Sequence, residues 1–153
     1  MPSLELKIPP PIIAVLVAIA MWGVSLITPL LAVPTSARVP MAMAITLAGI
    51  FVSIAGTISF RQAQTTVNPM KPESSSSLVS SGVYRFTRNP MYLGFLVVLL
   101  AWAVFLSSPV ALLGLLAFFL YIERFQIAPE ERVLFRLFGT DYTTYQAKVH
   151  RWL

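Results

Sequence analysis

The chain has 153 residues, of which 57% are hydrophobic and 11% charged, and its formal net charge is +5. Soluble domains carry roughly 25% charged residues, so a fold of this length cannot bury so much apolar surface unless lipid is the solvent for much of it. The absence of cysteine excludes disulfides, thiolate zinc sites and thiol nucleophiles, and a single histidine, His150, argues against a histidine-built metal site.

Two long uncharged segments occupy the N-terminal part of the chain. The apolar run over residues 12–33 is long enough, as a helix, to cross the roughly 30 Å hydrocarbon core, and it predicts the first transmembrane span. A secretory signal is the alternative, but the run is too long for its apolar region. Residues 39–60 predict the second span, in which Gly49, Ser53 and Gly56 would let a neighbouring helix approach closely.

A polar loop and a helical hairpin follow. Residues 61–88 are rich in Gln, Thr, Asn, Pro and Ser, and such a segment cannot lie in lipid without satisfying its backbone groups. The next uncharged run is too long for one straight span, and Ser107-Ser108-Pro109 interrupts it. It therefore predicts a tight hairpin with spans over residues 89–106 and 109–127.

The C-terminal residues 129–153 predict cytoplasmic or interfacial helices. Pro129 and the acids after it are typical of a helix start, and Gly139 of a helix end. The side chains of Val133, Leu134, Leu137 and Phe138 share one face of the first helix, which is expected to be amphipathic. A second short helix is expected from about Asp141 to Val149.

The distribution of basic residues predicts the orientation. Lys7, the polar loop and the tail together carry ten basic residues, whereas Arg38 alone lies on the other side. The positive-inside rule then favours a single all-α integral membrane domain with four transmembrane helices and both termini cytoplasmic, in the plasma membrane or a prokaryotic inner membrane. These basic residues also attract anionic lipid head groups, so the net charge does not indicate nucleic-acid binding.

Four motifs in the second half occur in a characteristic order. Residues 78–94 read LVSSGVYRFTRNPMYLG, the hairpin follows, then Glu130-Glu131, then FGTDYTTY at residues 138–145. In this order and spacing the chain resembles the isoprenylcysteine carboxyl methyltransferases, membrane-embedded S-adenosylmethionine-dependent enzymes related to phospholipid methyltransferases. The resemblance covers about Arg61 to Leu153.

The sequence departs from the family pattern at two points. The family histidine after Arg88 is Asn89 here, which can form hydrogen bonds but cannot carry a proton. Where eukaryotic relatives have an arginine near the reacting centre, this chain offers Lys148 or Arg151, and the sequence does not decide between them. Lysine would lack the bidentate fork of a guanidinium.

The resemblance implies a site for S-adenosylmethionine, whose carboxylate, ammonium, ribose hydroxyls and adenine need cations, anions and an aromatic or apolar slot together. Arg88 would pair with the carboxylate, and Glu130 or Glu131 with the ammonium or ribose. The expected cofactor-binding residues are Tyr84, Arg88, Asn89, Pro90, Tyr92, Glu130 and Glu131, and the expected catalytic residues are Glu130, Glu131, Lys148 and Arg151. No metal is expected. Tyr142 and Tyr145 are assigned to an aromatic belt at the membrane surface and His150 to the exposed tail.

The implied reaction is methyl transfer to a hydrophobic acceptor, prenylated or lipid-like, through a carboxylate, thiol or amine. Methyl transfer is an in-line displacement in which positioning and desolvation do most of the catalysis. One alternative is a membrane reductase of the sterol-reductase type using NADPH, although the sequence shows no glycine-rich phosphate loop. Another is a non-catalytic membrane scaffold. Acceptor identity and oligomeric state stay open, and membrane lipids are the other expected partners.

Overall fold

The computed structural model describes residues 4–64 and 70–153, and within these ranges the chain is helical and contains no strand. The predicted polar loop includes residues 65–69, which lie outside the described residues. Short 3₁₀ turns occur at Pro72–Ser74 and Gly82–Arg85. The helices are α1 (Pro10–Ser25), α2 (Thr35–Gln62), α3 (Pro90–Leu106), α4 (Leu112–Ile122) and α5 (Ala128–Lys148), with a π-helical turn at Glu123–Ile127 between the last two.

Two helices in the described ranges are long and apolar enough to cross a membrane. These are α2 and the continuous helix Leu112–Lys148, whereas α1 and α3 have 16 and 17 residues and so extend only about 24–26 Å at 1.5 Å per residue. Large apolar side chains on α2 face outward, including Leu47 at 66% exposed and Phe51 at 73%. Membrane character is thereby supported, and the four-span arrangement stays a prediction.

The first helix is shorter than the apolar run that predicted it. Helix α1 ends at Ser25, and residues 26–34 form an irregular connection to α2. Thr28-Pro29 and Val33-Pro34 account for this, because the residue before a proline is disfavoured in the α conformation. The backbone N–H of Leu31 instead donates to the carbonyl of Ser107 at 2.7 Å, which ties the connection to the hairpin.

Helices α2 and α3 approach closely where small residues face one another. A Cβ placed on Gly94 would lie 2.6 Å from the carbonyl oxygen of Gly49 and would overlap the hydroxyl of Ser53. The hydroxyl of Ser53 also donates to the carbonyl of Met91 at 3.3 Å. The expectation that Gly49 and Ser53 permit close helix packing is confirmed.

The hairpin turns at Ser107, which has a left-handed φ of 52°, and α4 then begins at Leu112. The chain does not break at Pro129, where a new helix was predicted to start, because the π-turn joins α4 directly to α5. Gly139, the predicted helix end, instead takes a φ of 49° and bends α5. The second half of α5 therefore folds back toward the start of α3.

The π-turn has a local cause in Pro129. Proline has no N–H, so the carbonyl of Phe125, four residues earlier, lacks its α-helical donor, and the proline ring would also crowd that carbonyl. The wider turn relieves this crowding, and the N–H of Leu6 donates to the Phe125 carbonyl at 3.0 Å. The side-chain amide of Gln126 donates to the backbone carbonyl of Ile8 at 2.8 Å, so the N-terminal segment lies against the π-turn.

Candidate active site

A pocket lies at the start of α3, between that helix, α5 and the loop that precedes α3. Its cavity volume is about 90 Å³. Its lining combines one arginine, two glutamates, four tyrosines and several apolar side chains. The lining residues are Phe60, Pro72, Ser75, Ser77, Leu78, Val79, Tyr84, Arg88, Asn89, Met91, Tyr92, Glu130, Glu131, Leu134, Tyr142 and Tyr145.

Arg88 is the cation of this pocket. Its side chain is 12% exposed, and one guanidinium nitrogen, NH2, lies 3.3 Å from Oε1 of Glu131. Its Nε and NH1 are buried without a hydrogen-bond partner among the residues described. Because buried polar donors without partners are costly, these two nitrogens indicate a place for an anionic group.

Glu130 lies across the pocket, in the first turn of α5. The hydroxyl of Tyr92, which is buried in the first turn of α3, donates to its Oε1. The neighbouring Tyr84 is also buried, and its carbonyl accepts a hydrogen bond from the hydroxyl of Tyr145 at 2.8 Å. Burial, with Tyr145 and Glu130 nearby, raises the pKa of Tyr84 well above its ordinary value, so Tyr84 is a neutral hydroxyl near pH 7.

Asn89 holds the C-terminal tail in place. Its side-chain amide donates to the carbonyl of Arg151 at 2.9 Å, and the backbone N–H of Arg88 donates to the carbonyl of His150 at 3.0 Å. The exposed side chain of His150 is where the sequence predicted it. Pro90 is buried as the first residue of α3 and is not among the described residues that line the pocket.

The two candidate cations of the tail occupy different places. Arg151 donates from Nε to Oε1 of Glu131 at 3.0 Å, from NH2 to the other oxygen of Glu131, and from NH1 to Glu123. The hydrogen bonds that Arg151 donates to Glu131, and then the one it donates to Glu123, raise the pKa of Arg151 above its ordinary value. Lys148 is exposed on the last turn of α5 and is not part of the described pocket lining.

The structure therefore brings most of the predicted residues together. One pocket is lined by six of them: Tyr84, Arg88, Asn89, Tyr92, Glu130 and Glu131. Arg151 forms an ion pair with Glu131, and Lys148 is outside the described lining.

The assignment of Tyr142 and Tyr145 to an aromatic belt is wrong, because both are buried and line the pocket. Their signal was their own i, i+3 spacing, which places both tyrosines on one face of the helix after Gly139.

Sequence reasoning missed Glu123. It lies within the predicted span over residues 109–127, and its carboxylate accepts hydrogen bonds from Arg151 and, at 2.9 Å, from the indole N–H of Trp152. Trp152 in turn packs against Phe119, with ring centroids 5.0 Å apart. No local pattern predicts these contacts, since they join residues 28 to 33 positions apart.

Comparison with known proteins gives a consistent set of matches. The family model for phospholipid methyltransferases matches residues 37–141. A probable protein-S-isoprenylcysteine O-methyltransferase of rice, Oryza sativa subsp. indica, is 39% identical over 84 residues, which are 53% of this chain and 42% of the rice protein. The protein-S-isoprenylcysteine O-methyltransferase of Saccharomyces cerevisiae is 35% identical over 82 residues, 52% of this chain and 33% of the yeast protein.

A bacterial relative is matched along its whole length. An uncharacterized protein of Haemophilus influenzae is 49% identical over 63 residues, which are 41% of this chain and all of that protein. The match to the rice and yeast enzymes, by contrast, spans less than half of their length. No solved structure shows significant similarity to the chain.

Proposed function

Because the chain belongs to the phospholipid methyltransferase family, which bears out its resemblance to the isoprenylcysteine carboxyl methyltransferases, we propose that it is an integral membrane methyltransferase that uses S-adenosylmethionine. The acceptor in this proposal is a hydrophobic molecule, prenylated or lipid-like. The observation that carries the proposal is that Nε and NH1 of Arg88 are buried without a hydrogen-bond partner among the described residues, in a pocket that also contains Glu130 and four tyrosines.

The residues of the pocket fit this cofactor. The Nε and NH1 of Arg88, to which no described residue hydrogen-bonds, are suited to a carboxylate, with which a guanidinium forms charge-assisted hydrogen bonds. Glu130 offers an acceptor for an ammonium or a ribose hydroxyl, while Leu78, Val79 and Leu134 give an apolar wall for adenine. The bound cofactor would supply a methyl group on a positively charged sulfur, ready for displacement by a nucleophile.

The protein's part in such a reaction is to position groups and exclude water. Tyr92 and Glu130 hold each other, and Arg151 holds Glu131 against Arg88, so the charged groups of the pocket are fixed before any ligand arrives. Preorganised charges need little rearrangement during reaction, which makes them more effective than mobile ones. Asn89 contributes hydrogen bonding through its hold on the tail and carries no proton.

An apolar groove supports entry of the acceptor from the bilayer. It lies between α1, α2 and α3, about one to four turns along α3 from Tyr92, and its wall includes Phe95, Trp102 and Phe105. In the proposed reaction a carboxylate or thiolate acceptor would benefit from a nearby cation to hold its ionised form against burial. Arg151 already binds two carboxylates, and Lys148 is exposed to incoming ligands. Both stay candidates for this role.

The competing functions differ in the cofactor they bind. We expect S-adenosylmethionine at 100 times its Kd to stabilise the purified protein by about 2.7 kcal/mol, and NADPH to have no effect. Thermal unfolding in detergent with each compound, and with adenosine as a weaker control, measures this. Stabilisation by NADPH alone would favour the reductase, and stabilisation by neither would favour a scaffold.

The orientation is tested separately. We expect both termini and the loop before α3 to face the cytoplasm, because ten of the eleven basic residues lie on that side in the four-span arrangement. A cysteine at Ser76 should resist a membrane-impermeant thiol reagent in intact cells and react after permeabilisation. The cysteine-free sequence gives a clean background. A cysteine at Ala37 serves as the opposite-side control, and labelling of Ser76→Cys from outside would reverse the orientation.

A further inference from the structure

A chain of ion pairs connects the pocket with the π-turn. It begins at Arg88, whose NH2 lies 3.3 Å from Glu131, continues through Arg151, and ends at Glu123, which also binds Trp152. Arg151 uses Nε and NH2 on Glu131 and NH1 on Glu123, so all three of its nitrogens are engaged. The cluster holds two cations and two anions and is therefore neutral.

The π-turn is what places the two acids on one side of the helix. Glu123 and Glu131 are eight positions apart, and in an uninterrupted α-helix such residues point about 80° apart. A π-turn absorbs one additional residue, which brings the two directions to within about 20°. A single guanidinium can then bridge both carboxylates, as observed for Arg151.

We propose that Glu123 is a positioning residue of the active site, which acts through Arg151 and Glu131 to keep Arg88 available for the anionic group of the cofactor. This inference rests on the proposed function. Glu123 fixes the guanidinium of Arg151 from one edge, and the opposite edge then binds Glu131 in a bidentate manner. Glu131 is thereby turned so that Oε1 alone approaches NH2 of Arg88. The Nε and NH1 of Arg88, which have no hydrogen-bond partner within residues 4–64 and 70–153, then stay available to a ligand.

Loss of the negative charge at Glu123 should release this arrangement. The variant Glu123→Gln keeps the size of the side chain and an acceptor for Trp152, but it holds Arg151 less firmly. Glu131 can then rotate toward Arg88 and occupy the nitrogens that the cofactor needs. We expect the Kd for S-adenosylmethionine to rise roughly tenfold, the effect of one hydrogen bond to a charged group. Glu123→Asp, which keeps the charge, should recover part of the affinity.

Glu5→Gln is a matched control. Glu5 also pairs with two arginines of the same long helix, Arg124 at 4.0 Å and Arg132, but this cluster lies outside the described pocket. We expect Glu5→Gln to leave the Kd unchanged, even if both variants lower the melting temperature to a similar extent. A merely structural role for Glu123 would make the two variants behave alike in binding.

A double-mutant cycle tests the route. If Glu123 acts through Glu131, then Glu123→Gln should weaken binding in the wild-type background and have no further effect in a Glu131→Gln background. Wild-type affinity for Glu123→Gln would overturn the proposal. An equal loss in both backgrounds would also overturn it, because Glu123 would then act by another path.

A second measurement does not depend on the cofactor. A nitroxide label on His150→Cys reports the mobility of the tail, and the backbone hydrogen bond from Arg88 to residue 150 is retained in this variant. We expect Glu123→Gln to increase the mobility of the label and Glu5→Gln to leave it unchanged. Unchanged mobility in Glu123→Gln would refute the link, whereas increased mobility in a protein that binds no S-adenosylmethionine would refute only the proposed function.

Discussion

Replacing Arg88 by alanine is expected to weaken S-adenosylmethionine binding by about 2–5 kcal/mol, which is at least roughly a 30-fold increase in Kd. The variant leaves the ligand carboxylate unpaired in a largely buried pocket. The fold should tolerate the change, because Glu131 keeps its bidentate partner Arg151. Glu130→Ala should weaken binding to a similar degree, since it removes a hydrogen-bonding carboxyl group from the pocket and also leaves the buried hydroxyl of Tyr92 without its acceptor.

Isothermal titration of purified variants in detergent or nanodiscs measures this effect. Arg132→Ala is the control, because Arg132 is 54% exposed in its side chain and pairs with Glu5 away from the pocket. Its affinity should equal that of the wild type. If all three variants bound the cofactor as the wild type does, the pocket at the start of α3 would not be the cofactor site.

Replacing Gly94 by alanine is expected to destabilise the protein by about 1–3 kcal/mol, the usual cost of forcing an extra group into a packed interface. The new Cβ would meet backbone, the Gly49 carbonyl at 2.6 Å, and the side chain of Ser53. Backbone cannot move aside as a flexible side chain can, so α2 and α3 would have to separate. Because α3 begins at the pocket, cofactor affinity should also fall.

Gly23→Ala provides the control for the same chemical change. Gly23 lies in α1, and among the described residues nothing comes within 4 Å of a Cβ placed there. Alanine should be neutral or slightly stabilising at this position, since it favours helix by about 1 kcal/mol over glycine. Thermal unfolding in one detergent compares the variants. Equal melting temperatures for Gly94→Ala and the wild type would contradict the close α2–α3 packing.

The features that the sequence predicted well are those with local causes. Charge-free apolar runs indicated a helical membrane protein, Ser107 to Pro109 indicated the hairpin turn, and small residues indicated the close contact of α2 with α3. The ordered motifs led to the family and to six residues that line one pocket. Each of these signals lies in the residue types and spacings along the chain, so composition, motif order and turn chemistry suffice to predict the feature.

Other features depend on contacts between distant parts of the chain. Pro129 predicted a helix start, because a residue without an N–H suits that position. The helix continues instead, and the N–H of Leu6 donates to the Phe125 carbonyl that Pro129 leaves without a helical donor. The positions of Tyr142 and Tyr145 in the pocket likewise depend on the bend at Gly139. A glycine is compatible with either a bend or a helix end, so the sequence did not distinguish the two.

The sequence by itself determined the lipid environment, the helical class, the family and the residue types of the site. Burial in lipid and short motifs each constrain residues that are close together in the chain. Only the tertiary structure decided the register of the long C-terminal helix, the separation of Arg151 from Lys148 and the place of Glu123. Helical direction changes by about 100° per residue, so one residue absorbed in a π-turn redirects every side chain after it. Whether that residue is absorbed depends on partners far away in sequence, here the N-terminal segment against the turn and the tail against Glu123.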